Sequence, residues 1–343
     1  MSYRVGIIGC GRPWKSEGAT GFGMSHQHAF GYKASGHATI VALADVVRAN
    51  AEAFAAIHGG ADGIYTDYHE MLAKAKLDIV SIATWPHMHA DMVIAAANAG
   101  VKAIHCEKPM APTYGECTAM VAACEANGVQ LTFNHQRRFG TPFRAAKALL
   151  DSGRIGTLER IEATCDNMYD WGTHWFDMAC YFNNECDADW VLGQVDLRDP
   201  QTVFGVAIEK HGVSFTHFKN GVTLLLSTGY QAGPRFGLRM IGSEGIIDVG
   251  VDDKTHLRVK GKGDAAWAII PDTEGLHGND NVERCVIDLV DALRTGREPE
   301  LSGRRALRAS ELIFATYESA RTRGRIDLPL KSTDSALLSM LGK

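Results

Sequence analysis

Between residues 5 and 133, short unbroken apolar runs alternate with stretches of helical spacing, and this alternation limits the fold more than any other feature. The runs fall at residues 5–8, 39–44, 79–83, 101–106 and 130–133. The helical stretches fall at 28–34, 49–57, 69–75, 90–99 and 114–127. In Thr39-Ile40-Val41-Ala42-Leu43-Ala44 no polar residue alternates with the apolar ones, so both faces of such a strand need cover. Covered strands joined by helices are βαβ units, and their repetition predicts an α/β fold with a doubly wound parallel sheet.

After residue 135 the pattern changes. A helix at 143–150 ends at Ser152-Gly153, and strands are expected at 158–164, 202–208, 213–218, 222–229, 238–241, 246–249 and 257–260. Turn signals such as Lys219-Asn220-Gly221 separate them, which indicates an antiparallel meander. Two helices follow, at 281–293 and 304–322. The expected organisation is a dinucleotide-binding domain over residues 1–134 and an α+β domain over 135–343. A chain of 343 residues is long enough for two cores.

The charge balance narrows the partners. With 35 basic and 40 acidic residues the net charge is -5, which gives no reason to expect nucleic acid or an anionic membrane surface. No apolar run is long enough to span a bilayer, and a strand pattern starts at Tyr3 without a signal peptide before it. The eight cysteines form no C-x-x-C pair and no zinc-finger spacing, so a reducing, cytoplasmic compartment is expected. No His, Cys or carboxylate set has the spacing of a metal site.

Gly9-Cys10-Gly11 directly follows the first strand. A dinucleotide's pyrophosphate needs backbone N–H groups at a helix N-terminus, reached by a turn too tight for side chains. Gly9 and Gly11 supply the first two glycines of such a turn. Residues 12–23 then read as an insertion, with Ser25 in the place of the third glycine. Asp45, closing the second strand, is placed to accept hydrogen bonds from the adenosine ribose. A carboxylate there repels a 2′-phosphate, so NAD is favoured; Arg48 keeps NADP as the alternative.

Two further motifs carry chemistry. Cys106-Glu107-Lys108-Pro109 ends a later strand, where ligands bind in open parallel sheets. Lys108 can hold a substrate oxygen and relay its proton, or it can simply pair with a neighbouring acid. In Asp170-Trp171-Gly172-Thr173-His174-Trp175-Phe176-Asp177, a helix would place Asp170 and His174 four residues apart on one face, continued by Asp177. Histidine titrates near neutral pH and can take a hydroxyl proton, while Asp170 can bind substrate and steady the charged ring. The plainer reading is a histidine packed among aromatics.

Taken together these motifs resemble the Gfo/Idh/MocA family of glucose–fructose oxidoreductases, inositol dehydrogenases and relatives. The resemblance covers G-C-G-R from Gly9, His28, Asp45, Tyr65 to Tyr68, Thr84-Trp85-Pro86 with His89, and Glu107 to Pro109. It continues through Asn134 to Phe139, Asp170 with His174, and Gly242 to Gly245. It implies a C-terminal domain with an open, mostly antiparallel sheet whose flat face serves oligomer formation, hence a homodimer or homotetramer. It also implies a catalytic set of Lys108, Asp170 and His174, with His174 as general base. Thr84, Pro86, His89 and Glu107 would lie along the cofactor; Trp85 departs from the pattern, standing where the family often has proline, and either lines the nicotinamide or substrate pocket or simply packs. Asn134, Arg138 and Asp177 would serve the substrate or support it, Arg138 alternatively forming an interdomain ion pair. Apart from the resemblance, Trp171 beside the active helix suits the face of a sugar ring, or a packed interface. The expected activity is hydride transfer between NAD and a secondary alcohol of a sugar or cyclitol. A non-catalytic Rossmann sensor of sugar or dinucleotide and a reductase of another carbonyl class are the alternatives.

Overall fold

The computed structural model describes residues 2–19, 21–229, 237–252, 254–272, 274–278 and 280–342; Thr20 of the expected insertion lies outside the described residues. Two compact units divide the chain. The first takes the described residues among 1–111, 116–136 and 279–306, the second those among 112–115, 137–278 and 307–343.

In the first unit β1 (Tyr3–Ile8), α1 (Met24–Ser35), β2 (Ala38–Ala44), α2 (Arg48–His58), β3 (Ile64–Tyr65) and α3 (Tyr68–Lys74) lead to β4 (Ile79–Ile82) and α4 (Pro86–Asn98). Then come β5 (Ala103–Cys106), α5 (Tyr114–Ala126) and β6 (Gln130–Phe133). The sheet order is β3-β2-β1-β4-β5-β6 with every pair parallel. This is the strand order of a dinucleotide-binding sheet, with its switch point at β1 and β4. The apolar runs are buried as their composition requires: Val5, Ile7, Leu43, Ile79 and Ala103 enter one core with Ala29 and Tyr32 of α1. Helix α4 begins at Pro86, earlier than the expected residue 90, because proline's fixed φ suits the first helical position.

The second unit opens on a 3₁₀ turn (Gln136–Phe139), followed by α6 (Thr141–Asp151), β7 (Leu158–Cys165), α7 (Gly172–Phe182) and β8 (Ala188–Asp196). Next are β9 (Gln201–Val203), β10 (Val206–Ile208), β11 (His211–Phe218), β12 (Thr223–Thr228), β13 (Leu238–Gly242), β14 (Gly245–Val249), β15 (Leu257–Gly261) and β16 (Ala268–Ile269). Helix α8 (Asp280–Thr295) returns to the first unit, so that unit is not one continuous stretch of chain. Its Val286, Leu289 and Val290 pack on α1. Gly31 permits the approach, since a Cβ there would meet Val286 Cβ at 2.6 Å. The chain ends with α9 (Gly303–Thr322), β17 (Ile326–Asp327) and α10 (Ala336–Met340).

The large sheet runs β16-β15-β14-β13-β7-β12-β11-β8-β17, mostly antiparallel and open. The expected meander is interrupted, because β7 lies between β12 and β13 and pairs parallel with β12. Residues 202–208 form two strands, not one: Phe204 and Gly205 both have positive φ and turn β9 into β10. Helix α7 lies against β7 and β12, and Ser319 and Thr316 of α9 bond Gly193 and Ser214. The opposite face keeps Leu192, Val213 and Leu225 exposed. Among the described residues no helix is long and apolar enough to cross a membrane.

Candidate active site

The glycine turn has the geometry of a phosphate cradle. Gly9 has φ +83, and a Cβ there would lie 2.6 Å from Ala83 O, so no other residue fits. Gly11 has φ +57, and the space where a Cβ would stand is empty out to 4 Å. Ser25 is buried in the first turn of α1 and its hydroxyl donates to Cys10 O, tying the helix start to the turn. The inserted segment leaves the turn at Arg12, whose Nε donates to Asn50 Oδ1, and carries exposed Trp14 and Phe22. Asp45 accepts from Gly11 N at 3.0 Å and from Val47 N at 2.8 Å, which fixes its carboxylate at the end of β2. A turn with no side chain at Gly11, the N-terminus of α1 and a fixed carboxylate are what a dinucleotide requires, and the residues present fit one.

At the end of β4, Trp85 is 44% exposed, while Thr84 donates to Met92 Sδ at 3.4 Å and Pro86 starts α4. His89 is fully buried, its ring held among the carbonyls of Thr84, Pro109 and Met110. Burial lowers its pKa. It lies between two loops of the sheet's C-terminal edge, and its one N–H as a neutral ring donates to a backbone carbonyl there.

Glu107 is the hub of a buried polar cluster. Its Oε1 accepts from His28 Nε2 at 2.8 Å and Asn134 Nδ2 at 2.7 Å, and Oε2 accepts the Lys108 N–H at 3.3 Å. Burial pushes the carboxyl up, but the bonds and charge of His28, with the Asn134 amide, outweigh it and hold it down to about 2. An ionised carboxylate only accepts, so Nε2 of His28 carries a proton. Ser81 Oγ lies 2.8 Å from the other ring nitrogen. Lys108 belongs to the first unit, with Asn134.

Asp170, Trp171 and His174 belong to the second unit. The expectation of Asp170 and His174 on one helix needs correction: α7 starts at Gly172, and Asp170 sits in the turn before it. Asn167 builds that turn, its Oδ1 accepting Asp170 N at 2.6 Å and its carbonyl accepting Gly172 N at 2.8 Å. His174 follows inside the helix and is buried.

Arg138 is engaged structurally. Its Nε and Nη2 each reach an Asp177 oxygen at 2.8 Å, and Nη1 reaches Glu185. All three residues lie in the second unit, so the pairing is not interdomain. Its neighbour Arg137, not singled out in the sequence, lies 5.2 Å from the Trp171 ring and 4.7 Å from the Trp175 ring, and burial lowers it to about 10. Glu209 was also missed. Fully buried, it accepts from Met168 N at 2.7 Å, Thr228 Oγ1 at 2.9 Å and Tyr317 OH at 2.8 Å, and so anchors the turn that carries Asp170. Burial raises its pKa. A lone acid ending the apolar run Val206-Ala207-Ile208 was the available signal.

A family model described as an oxidoreductase family with an NAD-binding Rossmann fold, GFO_IDH_MocA, matches residues 3–135. D-apiose dehydrogenase of Paraburkholderia graminis is 30% identical over 365 residues, covering 95% of this chain and 90% of its own. Inositol 2-dehydrogenase of Azotobacter vinelandii is 32% identical over 157 residues, 46% of this chain and 43% of its own. Among solved structures, levoglucosan dehydrogenase in complex with NADH gives a TM-score of 0.81 at 20% identity, over 96% of this chain and 100% of that one. At that identity the likeness is one of fold.

Proposed function

This chain belongs to the Gfo/Idh/MocA oxidoreductase family, with an NAD-binding Rossmann unit, and on that premise we propose that it oxidises a secondary alcohol of a sugar or cyclitol, or runs the reverse reduction. The observation that carries the reading is the first unit's C-terminal edge. There one sheet presents the turn at Gly11, free of any side chain, the Asp45 carboxylate fixed by it, and Glu107-Lys108. The dinucleotide, when bound, supplies the hydride acceptor.

The residues of the chain do the rest. His174 takes the hydroxyl proton, Lys108 holds the substrate oxygen, and Asp170 binds a hydroxyl and stabilises the charged imidazole. Residues 1–134, joined by the returning α8, form the dinucleotide domain of this proposal. NAD is preferred over NADP, because Asp45 would repel a 2′-phosphate and Arg48 Nε is turned to Glu52 at 2.9 Å. Asn134 and Trp171 remain substrate residues in this reading, and Arg138 supports α7. A second copy of the chain would cover the exposed sheet face around Leu192, Val213 and Leu225, giving a homodimer or homotetramer. The eight free cysteines suit a reducing, cytoplasmic setting.

The test is turnover of aldoses, including D-apiose, and of cyclitols, including myo-inositol, with NAD and with NADP, followed by NADH or NADPH absorbance. NAD-dependent turnover is expected, and Lys108→Met or His174→Asn should each lower kcat by about 10²- to 10⁴-fold. Dinucleotide binding without turnover of any member would refute the dehydrogenase.

A further inference from the structure

We propose that His28 is a positioning residue for Lys108, acting through the Glu107 carboxylate. The inference rests on the role assigned above to Lys108.

Lys108 leaves the chain at a peptide whose N–H is bonded to the side chain of the preceding residue, Glu107. That carboxylate therefore braces the peptide from which Lys108 departs. The Glu107 side chain is 9% exposed, and its Oε1 is held by two donors, His28 Nε2 and Asn134 Nδ2. A buried ionised group with so little water needs such donors, and their removal releases it.

His28 is itself fixed from three sides. Ser81 Oγ of β4 holds Nδ1 at 2.8 Å. The ring of His105 lies 4.5 Å away and is held by Thr132 Oγ1 of β6 at 2.9 Å. Helix α1 supplies the backbone, and His28 stands one turn after Ser25, which ties α1 to the phosphate turn. The same helix thus sets the dinucleotide cradle and, through one imidazole, the place from which Lys108 departs. A role in packing alone would be met by any side chain of similar size; this one needs a donor at the Nε2 position.

The experiment compares His28→Gln with His28→Asn in the NAD-loaded protein. Glutamine can reach Glu107 with its amide N–H; asparagine is too short but keeps polarity at Ser81. The first readout needs no substrate: acetylation of Lys108 by acetic anhydride, quantified by mass spectrometry against exposed Lys102 in the same sample. His28→Asn should change that ratio by more than about threefold, and His28→Gln by less than about twofold. With a substrate from the panel above, His28→Asn should lower kcat by about 10- to 100-fold with KM values nearly unchanged, and His28→Gln should recover most of it. If His28→Asn does not fold, Ser81→Ala, which frees only the far side of the imidazole, should still alter the labelling ratio. Equal labelling in wild type and His28→Asn, or equal loss in both His28 variants, would overturn the proposal. Unchanged turnover in Lys108→Met would instead overturn the catalytic role of Lys108, while the labelling result still judged His28.

Discussion

Removing the carboxylate of Asp177 isolates the energetics of the buried pair beneath α7. Arg138 and Asp177 have side-chain exposures of 1% and 2%, and two 2.8 Å hydrogen bonds join them. Burial works against the guanidinium, and Asp177 with Glu185 more than restores its charge. Asp177→Ala takes one carboxylate from that buried charge and leaves it Glu185, whose side chain is 23% exposed. Breaking one side of such a pair costs about 3–5 kcal/mol, and the remaining Glu185 argues for about 3 kcal/mol. In a unit of this size that lowers Tm by about 6–12 °C. The assay is urea and thermal unfolding followed by tryptophan fluorescence, since Trp171, Trp175 and Trp190 all lie in the second unit. The double change Arg138→Met with Asp177→Leu should return most of the loss, because replacing both charges by apolar groups removes the desolvation penalty. A loss below about 1 kcal/mol for Asp177→Ala, or a double variant worse than the single, would refute the reasoning.

Other perturbations read different parts of the molecule. Glu107 has a folded pKa of about 2 against an ordinary 4.5, so its contribution is present above 4.5 and is lost as pH falls from there toward 2. Glu107→Gln should therefore show a flatter fall of urea midpoint between about pH 5 and pH 3 than wild type, a difference of order 3 kcal/mol when complete; parallel acid limbs would refute it. Asp45→Ala should weaken NAD binding by about 10- to 100-fold through lost ribose hydrogen bonds, with less effect on NADP, measured by calorimetry. Equal losses for both dinucleotides would remove Asp45 from the preference. Val213→Glu with Leu225→Glu places charges on the exposed sheet face and should convert the proposed oligomer to monomer in sedimentation velocity. An unchanged sedimentation coefficient would refute this face as a subunit interface.

The first unit was legible because its strands are buried on both faces and so carry unbroken apolar runs. Ile64-Tyr65 escaped, since two residues make no run. In the second unit one sheet face is open, and the hydrophobic signal weakens accordingly. Ala188–Asp196 has one fully buried side chain, Val191, and was not expected to be a strand. The order of β7 between β12 and β13 depends on pairings far apart in sequence, which local turn signals do not encode. At the candidate site, residue types and strand ends single out Gly9, Gly11, Asp45 and Lys108. The partners were hidden: nothing local joins His28 to Glu107, which are 79 residues apart. Nor does the dipeptide Arg137-Arg138 say which guanidinium faces Asp177 and which faces the tryptophans.

The return of α8 to the first unit has a consequence for synthesis of the chain. The face of α1 that carries Ala29 and Tyr32 is completed by Val286, Leu289 and Val290, so the nascent Rossmann sheet leaves the ribosome with one flank bare. At about 5–20 residues per second, the roughly 160 residues between the end of β6 and the end of α8 take on the order of 8–30 s to appear. Throughout that interval the bare apolar flank is a site for chaperones or for wrong association. A fragment cut at residue 134 would hold that state permanently.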